Sequence, residues 1–294
     1  MSSAAAVTVL GSLHYDITVQ GPALPRKGET VTGQSWRPKL GGKGRNQAAA
    51  AARAGAHTAM VGVVGGDQFG RELLADLDAR GVDRRFVRIA GGAGSGMSVA
   101  IFDAEGDYGA VIVSGANLDL SDADVAAAQA LWPQTAVLVL QNEVPDAANL
   151  AAAAAVRSAG GKVILNAAPA RAMPGSLALL VDVLVVNAIE AAQLCGRAEP
   201  RSLEEAQAAA ARLAQDFPAV IVTAGGAGVA LADRSRRMSL PAVPVHVEST
   251  HGAGDEFVGW LAANLAGGAT IDAALGAANA AAARLVGTPE HLRD

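Results

Sequence analysis

Aromatic side chains make up only 3% of the 294 residues, and there is a single cysteine, Cys195. One thiol excludes an internal disulfide and any zinc site built on several cysteines, so Cys195 reads as a buried apolar residue. Basic residues are also scarce. Lys plus Arg is 23 against 28 Asp plus Glu, a formal net charge of −5. With no basic excess to neutralise phosphates, nucleic acid is not expected as a partner. No stretch of 18 uncharged apolar residues occurs, and the richest run, Leu177 to Val186, is broken by Asp182. No transmembrane helix or membrane partner is therefore expected. The opening MSSAAAVTVLGS has no basic region, and its apolar run is too short for a signal peptide. These absences predict a cytoplasmic protein. Linkers rich in Gly, Ser or Pro, charge blocks and internal repeats are missing too, which predicts one domain over residues 1–294.

What is present is a chain that is 51% hydrophobic and only 17% charged, ample for a large core. Short apolar runs alternate with alanine-rich ones. Val7–Leu10, Thr58–Val63, Ala136–Leu140, Lys162–Leu165, Val183–Val186 and Ala219–Thr223 have the composition of strands covered on both faces. Helices are expected over residues 46–55, 70–81, 121–131, 145–160, 189–194, 202–217, 253–265 and 271–286. Strand–helix alternation predicts an α/β fold with a mostly parallel central sheet flanked by helices. Two segments break the rhythm. Residues 12–40 are extended and proline-bearing, and residues 96–114 read as a hairpin about Asp103–Gly106. Together they predict a small β-sheet that lids the main domain.

Four clusters carry chemical promise. Gly41-Gly-Lys-Gly-Arg-Asn-Gln47 opens an alanine-rich helix, where glycines expose backbone N–H groups to a polar ligand. Its spacing is not that of a Walker loop, and the plain alternative is a turn with a solvated lysine. Gly252-Ala-Gly-Asp255 opens another helix, with successive amides beside a carboxylate. The plain alternative there is a carboxylate serving the helix dipole. Asn187-Ala-Ile-Glu190 follows a strand and suits a magnesium–water or phosphate site, or else a simple capping pair. Thr223-Ala-Gly-Gly-Ala-Gly228 also follows a strand. It lacks a dinucleotide fingerprint and offers either close approach of a phosphate or a hairpin turn.

In this order and spacing the clusters resemble the ribokinase-like (PfkB) carbohydrate kinase family, most closely its ribokinase branch. Gly41–Gln47 looks like the family's first signature and Gly252–Asp255 its second. Gly11–Asp16, Gly28–Gly33, Gly115–Asn117, Gln141–Glu143 and Asn166–Pro169 carry the likeness along nearly the whole chain. The resemblance implies a three-layer α/β sandwich with a β lid, and transfer of the ATP γ-phosphate to a sugar hydroxymethyl group. It implies Asp255 as general base, with Gly252, Ala253 and Gly254 holding charge on the transferring phosphoryl group. His14, Asp16, Gly42, Lys43, Asn46 and Glu143 match sugar-binding positions. Asn187, Thr223, Gly225, Gly228, Gly254 and Asn279 match nucleotide-binding ones. Glu190 would organise Mg2+ through water, and the lid would pair two copies into a homodimer.

Three departures qualify that picture. Ser249 stands where the family has an aspartate that helps bind a monovalent cation, which argues against potassium activation. His14 replaces an asparagine and Arg45 a small residue, and both bear on the choice of sugar. The chain ends at Asp294, so the usual C-terminal helix is expected to be shortened or missing. The lid segments offer few aromatics to stack on a base, namely Tyr15, Trp36, Phe102 and Tyr108, so ribose or a related furanose is expected. The alternatives are a nucleoside or pseudouridine kinase, or a catalytically weak sugar-binding regulator on the same scaffold.

Overall fold

In a strand covered on both faces, successive side chains enter opposite layers. In the computed structural model, which describes residues 6–105 and 107–293, strand β8 (Val137–Gln141) does this. Val137 and Val139 enter one buried cluster and Leu138 and Leu140 the other. The same division runs through β1 (Ala6–Leu10), where Val7 and Val9 face one side and Leu10 the other.

The remaining elements, in chain order, are β2 (His14–Gln20), β3 (Ser35–Gly41), α1 (Lys43–Arg53), β4 (His57–Gly65), α2 (Gln68–Ala79), β5 (Asp83–Ala90), β6 (Gly96–Phe102) and β7 (Tyr108–Val113). Then come α3 (Asp122–Ala127), α4 (Asp146–Ser158), β9 (Lys162–Asn166), α5 (Gly175–Ala178), β10 (Val183–Asn187), α6 (Ala188–Cys195) and α7 (Leu203–Leu213). The chain closes with β11 (Ala219–Thr223), β12 (Gly228–Asp233), β13 (Arg237–Pro241), α8 (Ala253–Ala266) and α9 (Ile271–Val286). Among the described residues, no helix is long and apolar enough to cross a membrane.

The large sheet has nine strands in the order β13-β12-β11-β10-β9-β8-β1-β4-β5. Every pair from β11 to β5 is parallel, and β12 and β13 turn back antiparallel. One face is covered by α3, α4, α6 and α7, the other by α1, α2, α8 and α9. The strand order reverses at β1, which has β8 on one side and β4 on the other. The carboxyl edge above such a switch point is where open α/β sheets bind ligands. The α/β sandwich implied by the resemblance is the fold observed.

A second sheet, β3-β2-β6-β7, stands beside that edge. Gly11–Leu13 carries the chain into it from β1, and Asn117 grips that junction from both sides. Its Oδ1 accepts from the Leu13 N–H at 2.9 Å and its Nδ2 donates to the Leu13 carbonyl at 2.9 Å. Asn117 is completely buried, so its amide substitutes for a missing strand partner.

Four elements differ from expectation. The helix over 121–131 stops at Ala127. The Trp132 indole N–H takes the Val125 carbonyl at 3.1 Å, which the next helical turn would have used, and the chain tightens to a Gln129 N–H bond with Ala126. The helix over 202–217 stops at Leu213 and continues as turns to Phe217. Strands β5 and β13, absent from the pattern, form the two edges of the large sheet.

Helices α1 and α8 meet almost backbone to backbone. A Cβ at Gly259 would lie 2.4 Å from the Ala50 Cβ and 2.7 Å from the Gln47 carbonyl. Gly259→Ala would raise helix propensity in isolation, but the clash decides the sign here. The substitution is expected to destabilise the protein by about 1–3 kcal/mol. The urea midpoint should fall with the slope unchanged, and an unmoved midpoint would show that the helices slide apart freely.

Candidate active site

Several strands deliver polar side chains at one edge. Gln141 of β8 is in register with Asn166 of β9, and Asn187 of β10 with Thr223 of β11. Two helices then point their N-termini at this edge. Helix α1 starts after Gly42, whose φ is 89°. A Cβ there would meet the His14 nitrogen and the Ser12 carbonyl, both at 2.8 Å, so the sharp entry needs glycine. Helix α8 starts after Gly252, in the left-handed region at φ 80°.

The approach of these helix starts builds the centre of the site. Asp255, in the first turn of α8, accepts from Asn46 Nδ2 at 3.1 Å and from Gln47 Nε2 at 2.9 Å. The Gln47 Nε2 also donates to Asn166 Oδ1 at 3.0 Å, which fixes the glutamine against β9. Glu143 accepts from the Lys43 amide at 3.0 Å and from the Ser12 hydroxyl with the same oxygen. Burial pushes the Asp255 carboxyl above its ordinary range, and the Lys43 cation and the two amides only partly offset that. Burial alone would lower Lys43, but the carboxylates of Asp255, Glu143 and Glu190 outweigh it and hold the ammonium above its usual value. The result is a carboxylate with both oxygens oriented, next to a persistent cation, at the head of a helix. Asp255 also opens into a cavity of about 510 Å³ that reaches β3 and the C-terminal turn.

The other candidates fall around this centre. The Asp16 carboxylate, on β2, takes a hydrogen bond from Ser98 of β6. His14, the first residue of β2, is buried with no partner for its Nε2. At the head of α8 the Ala253 N–H bonds the Thr250 carbonyl at 3.2 Å. The Gly254 amide precedes the first intrahelical bond, made by Glu256 to the Gly252 carbonyl.

Asn187 and Glu190 form a reciprocal capping box at 2.8 and 2.9 Å, so the plain structural role is realised. Burial also pushes Glu190 up, and Lys43 and the Asn187 amide act against it. Thr223 is followed by a tight turn at Gly225, φ 52°, and by Gly228, which is in register with Pro241. The Asn279 amide donates to the Pro241 carbonyl at 2.9 Å. Asn187, Thr223, Gly228 and Asn279 therefore form a line across neighbouring strand ends, separate from the Asp255 centre.

Arg45 acts on the site only through Asn46, whose Oδ1 accepts from its Nη1 at 3.1 Å. It makes a two-point ion pair with Asp76 of α2, both contacts at 2.7 Å, with its side chain 8% exposed. Gln47, Ser12 and Asn166 escaped the sequence reading as site residues. Gln47 lay inside the first motif, but nothing in the spacing showed that its amide crosses to α8.

An oriented carboxylate beside a lysine, a glycine-started helix and a row of strand-end amides is the equipment of a phosphotransferase with an alcohol acceptor. The chain matches the pfkB family carbohydrate kinases over residues 4–291, and it belongs to that family. It is 35% identical over 266 residues to ribokinase of Mus musculus, covering 90% of this chain and 82% of that one. Against ribokinase of Bacillus subtilis it is 35% identical over 277 residues, covering 94% and 91%. The structure of Arabidopsis thaliana ribokinase complexed with ribose and ATP superposes with a TM-score of 0.89 at 31% identity, covering 97% of this chain and 94% of that one.

A hydrogen bond to a charged group is worth about 1.5–3 kcal/mol. Gln47→Leu is therefore expected to lower turnover by about 10- to 100-fold. Because the lost donor favoured ionised Asp255, the acid limb of the kcat profile should move to higher pH. A wild-type profile that keeps full activity down into the ordinary carboxylate range would contradict the raised pKa of Asp255.

Proposed function

We propose that the protein phosphorylates the hydroxymethyl group of free ribose, or a closely related furanose, with ATP. The observation that carries this is the two-amide grip on Asp255 beside Lys43. In the proposed reaction Asp255 accepts the hydroxyl proton as the oxygen attacks the γ-phosphorus. The bond from that phosphorus to the β,γ-bridging oxygen breaks, and ADP leaves with the electron pair. Asn46 and Gln47 hold the carboxylate in line, and the Gly254 amide, beside Gly252, faces the charge that develops on the phosphoryl oxygens. The part expected of Ala253 is corrected, because its N–H is taken by the Thr250 carbonyl. Asp16, Glu143, Asn46 and Lys43 give the sugar charged acceptors and donors from opposite sides, with Gly42 and His14 closing the wall. This is a set suited to a small polyol and poor in stacking surface for a base.

The nucleotide is assigned to the line of Asn187, Thr223, Gly225, Gly228 and Asn279, with Gly254 at its phosphate end. No atoms lie within 4 Å of a Cβ built at Gly225 or Gly226, which leaves that turn open to a ligand. Among the described residues no group of three or more His, Cys, Asp or Glu is placed to hold a metal ion. A lone Glu190 fits a magnesium ion held mainly by phosphates and water, with the carboxylate accepting from a bound water.

The small sheet is assigned as the lid. It presents Val111, Ile112 and Val113 in succession on its β7 edge strand, exposed by 68%, 66% and 50%. Three consecutive exposed aliphatics on an unpaired edge invite pairing, which supports a homodimer through the lid. Sedimentation is expected to show a dimer that Ile112→Lys converts to monomer, and a monomeric wild type would remove the assignment.

The function is tested by titrating ribose, fructose, adenosine and pseudouridine with ATP. Saturation is expected with the free pentose. Asp255→Asn should keep the fold and lose about 10²- to 10⁴-fold in turnover. Asp16→Ala should raise the ribose KM steeply with a smaller effect on kcat, because a buried hydroxyl loses its charged acceptor. Saturation by a nucleoside and by no free sugar would replace the substrate.

A further inference from the structure

The C-terminal turn carries an arginine whose guanidinium meets only main-chain carbonyls. Arg293 donates from Nε to Thr288 at 2.8 Å, from Nη1 to His251 at 2.8 Å and from Nη2 to Ser249 at 2.6 Å. Among the described residues no carboxylate pairs with it. Two of the three carbonyls belong to residues 249–251, the segment that leads directly into Gly252 and the head of α8. The same segment is held at a second point. The Ser249 hydroxyl donates to Glu290 Oε1 at 2.8 Å, and Glu290 Oε2 receives Arg37 at 3.3 Å and Lys39 at 3.5 Å from β3. Burial alone would raise Glu290, but Ser249 and the neighbouring cations hold it below its ordinary range. It therefore stays ionised as a link between the small sheet, the C-terminal turn and the segment before Gly252.

Carbonyl oxygens converging on one positive charge are the donor set that hard cations select. Here a guanidinium supplies the charge. The resemblance would place a monovalent cation beside position 249, but the residues present do not fit one. Ser249 offers a neutral hydroxyl already bonded to Glu290, and the carbonyls of 249 and 251 are turned onto Arg293. Arginine remains charged at any working pH and fixes three directions at once, which a mobile ion does not.

We propose that Arg293 is a built-in cation that positions the segment before Gly252, so that turnover needs no added monovalent ion. Arg293 is a positioning residue, since it reaches the reacting atoms only through the backbone of 249–252. The inference rests on the kinase reading given above. A displacement of the helix head misaligns Asp255 and the Gly254 amide with the phosphoryl group, an effect on kcat more than on sugar binding.

The test compares wild type with Arg293→Ala in a tetramethylammonium buffer, a cation too large for the carbonyls, and then adds potassium, sodium or guanidinium chloride. Wild-type kcat is expected to stay within twofold under every salt. Arg293→Ala should lose about 10- to 100-fold in kcat with little change in the sugar KM, and millimolar guanidinium or potassium should restore part of the loss. The melting temperature of the variant should also rise with guanidinium at concentrations that leave wild type unmoved, a readout independent of catalysis. Arg293→Lys, with one point charge in place of a fork, should fall between the two, and it decides the question if the alanine variant does not fold. Strong potassium activation of wild type would overturn the proposal. So would a variant with more than half of wild-type kcat, or a folded variant that no cation rescues in turnover or melting. A wild type that turns over no sugar with ATP would instead remove the kinase reading, and the melting comparison would still report on the cation site.

Discussion

Everything in the site depends on one carboxylate being held by a helix about two hundred residues away in sequence. Asp255 opens α8, and both of its oxygens are fixed by amides from the first turns of α1. Those amides reach it only because α1 and α8 pack at the distance of alanine and glycine, with Gly259 against Ala50. Alanine-rich helices are often taken as filler. In α1 the small side chains let two helix heads stand side by side over the switch point of the sheet.

The second requirement is charge balance. Asp255, Glu143 and Glu190 all bear on Lys43. The lysine stays protonated because of them, and Asp255 is less unfavourable as an anion because of it. The Lys43 backbone amide is itself bonded to Glu143, so one residue ties the charge network to the start of α1. The network is thus part of the packing of α1 against the strand ends, and removing any member would disturb position as well as potential.

Much of this was legible from the chain. Strands such as Val183–Val186 and Ala219–Thr223 are buried on both faces, and their composition announced it. The edge strands β5 and β13 were not legible, because an edge needs only partial cover. Asp83-Arg-Arg-Phe-Val-Arg-Ile89 carries three arginines in seven residues, and its periodicity is weak. Among site residues, those in glycine-bearing motifs were found, because the conformational demand is written locally. Gln47, Asn166 and Arg293 were not found, because each acts through a partner more than 40 residues away. Arg45 shows the converse. It sits inside a signature motif, but its charge is paired with Asp76 and it reaches the site only by bracing Asn46.

The grip of Asn117 on Leu13 has a mechanical meaning. It fixes one of the four places where the chain crosses between the small sheet and the main body, the others being Gly42, residues 91–95 and Ser114. A rotation of the small sheet about this crossing has Leu13 as its fulcrum. Asp16 lies three positions farther along β2, roughly 10 Å out at the rise of an extended strand. A rotation of about 10° about the fulcrum sweeps its carboxylate through about 2 Å, the difference between a hydrogen bond and none. Glu143 lies on the loop after β8, outside the small sheet. A small hydroxylated molecule that touched Asp16 and Glu143 together, as proposed above, would be a strut between a lever and its base. The spacing of its hydroxyls, more than their number, would then set the angle at which the lever came to rest.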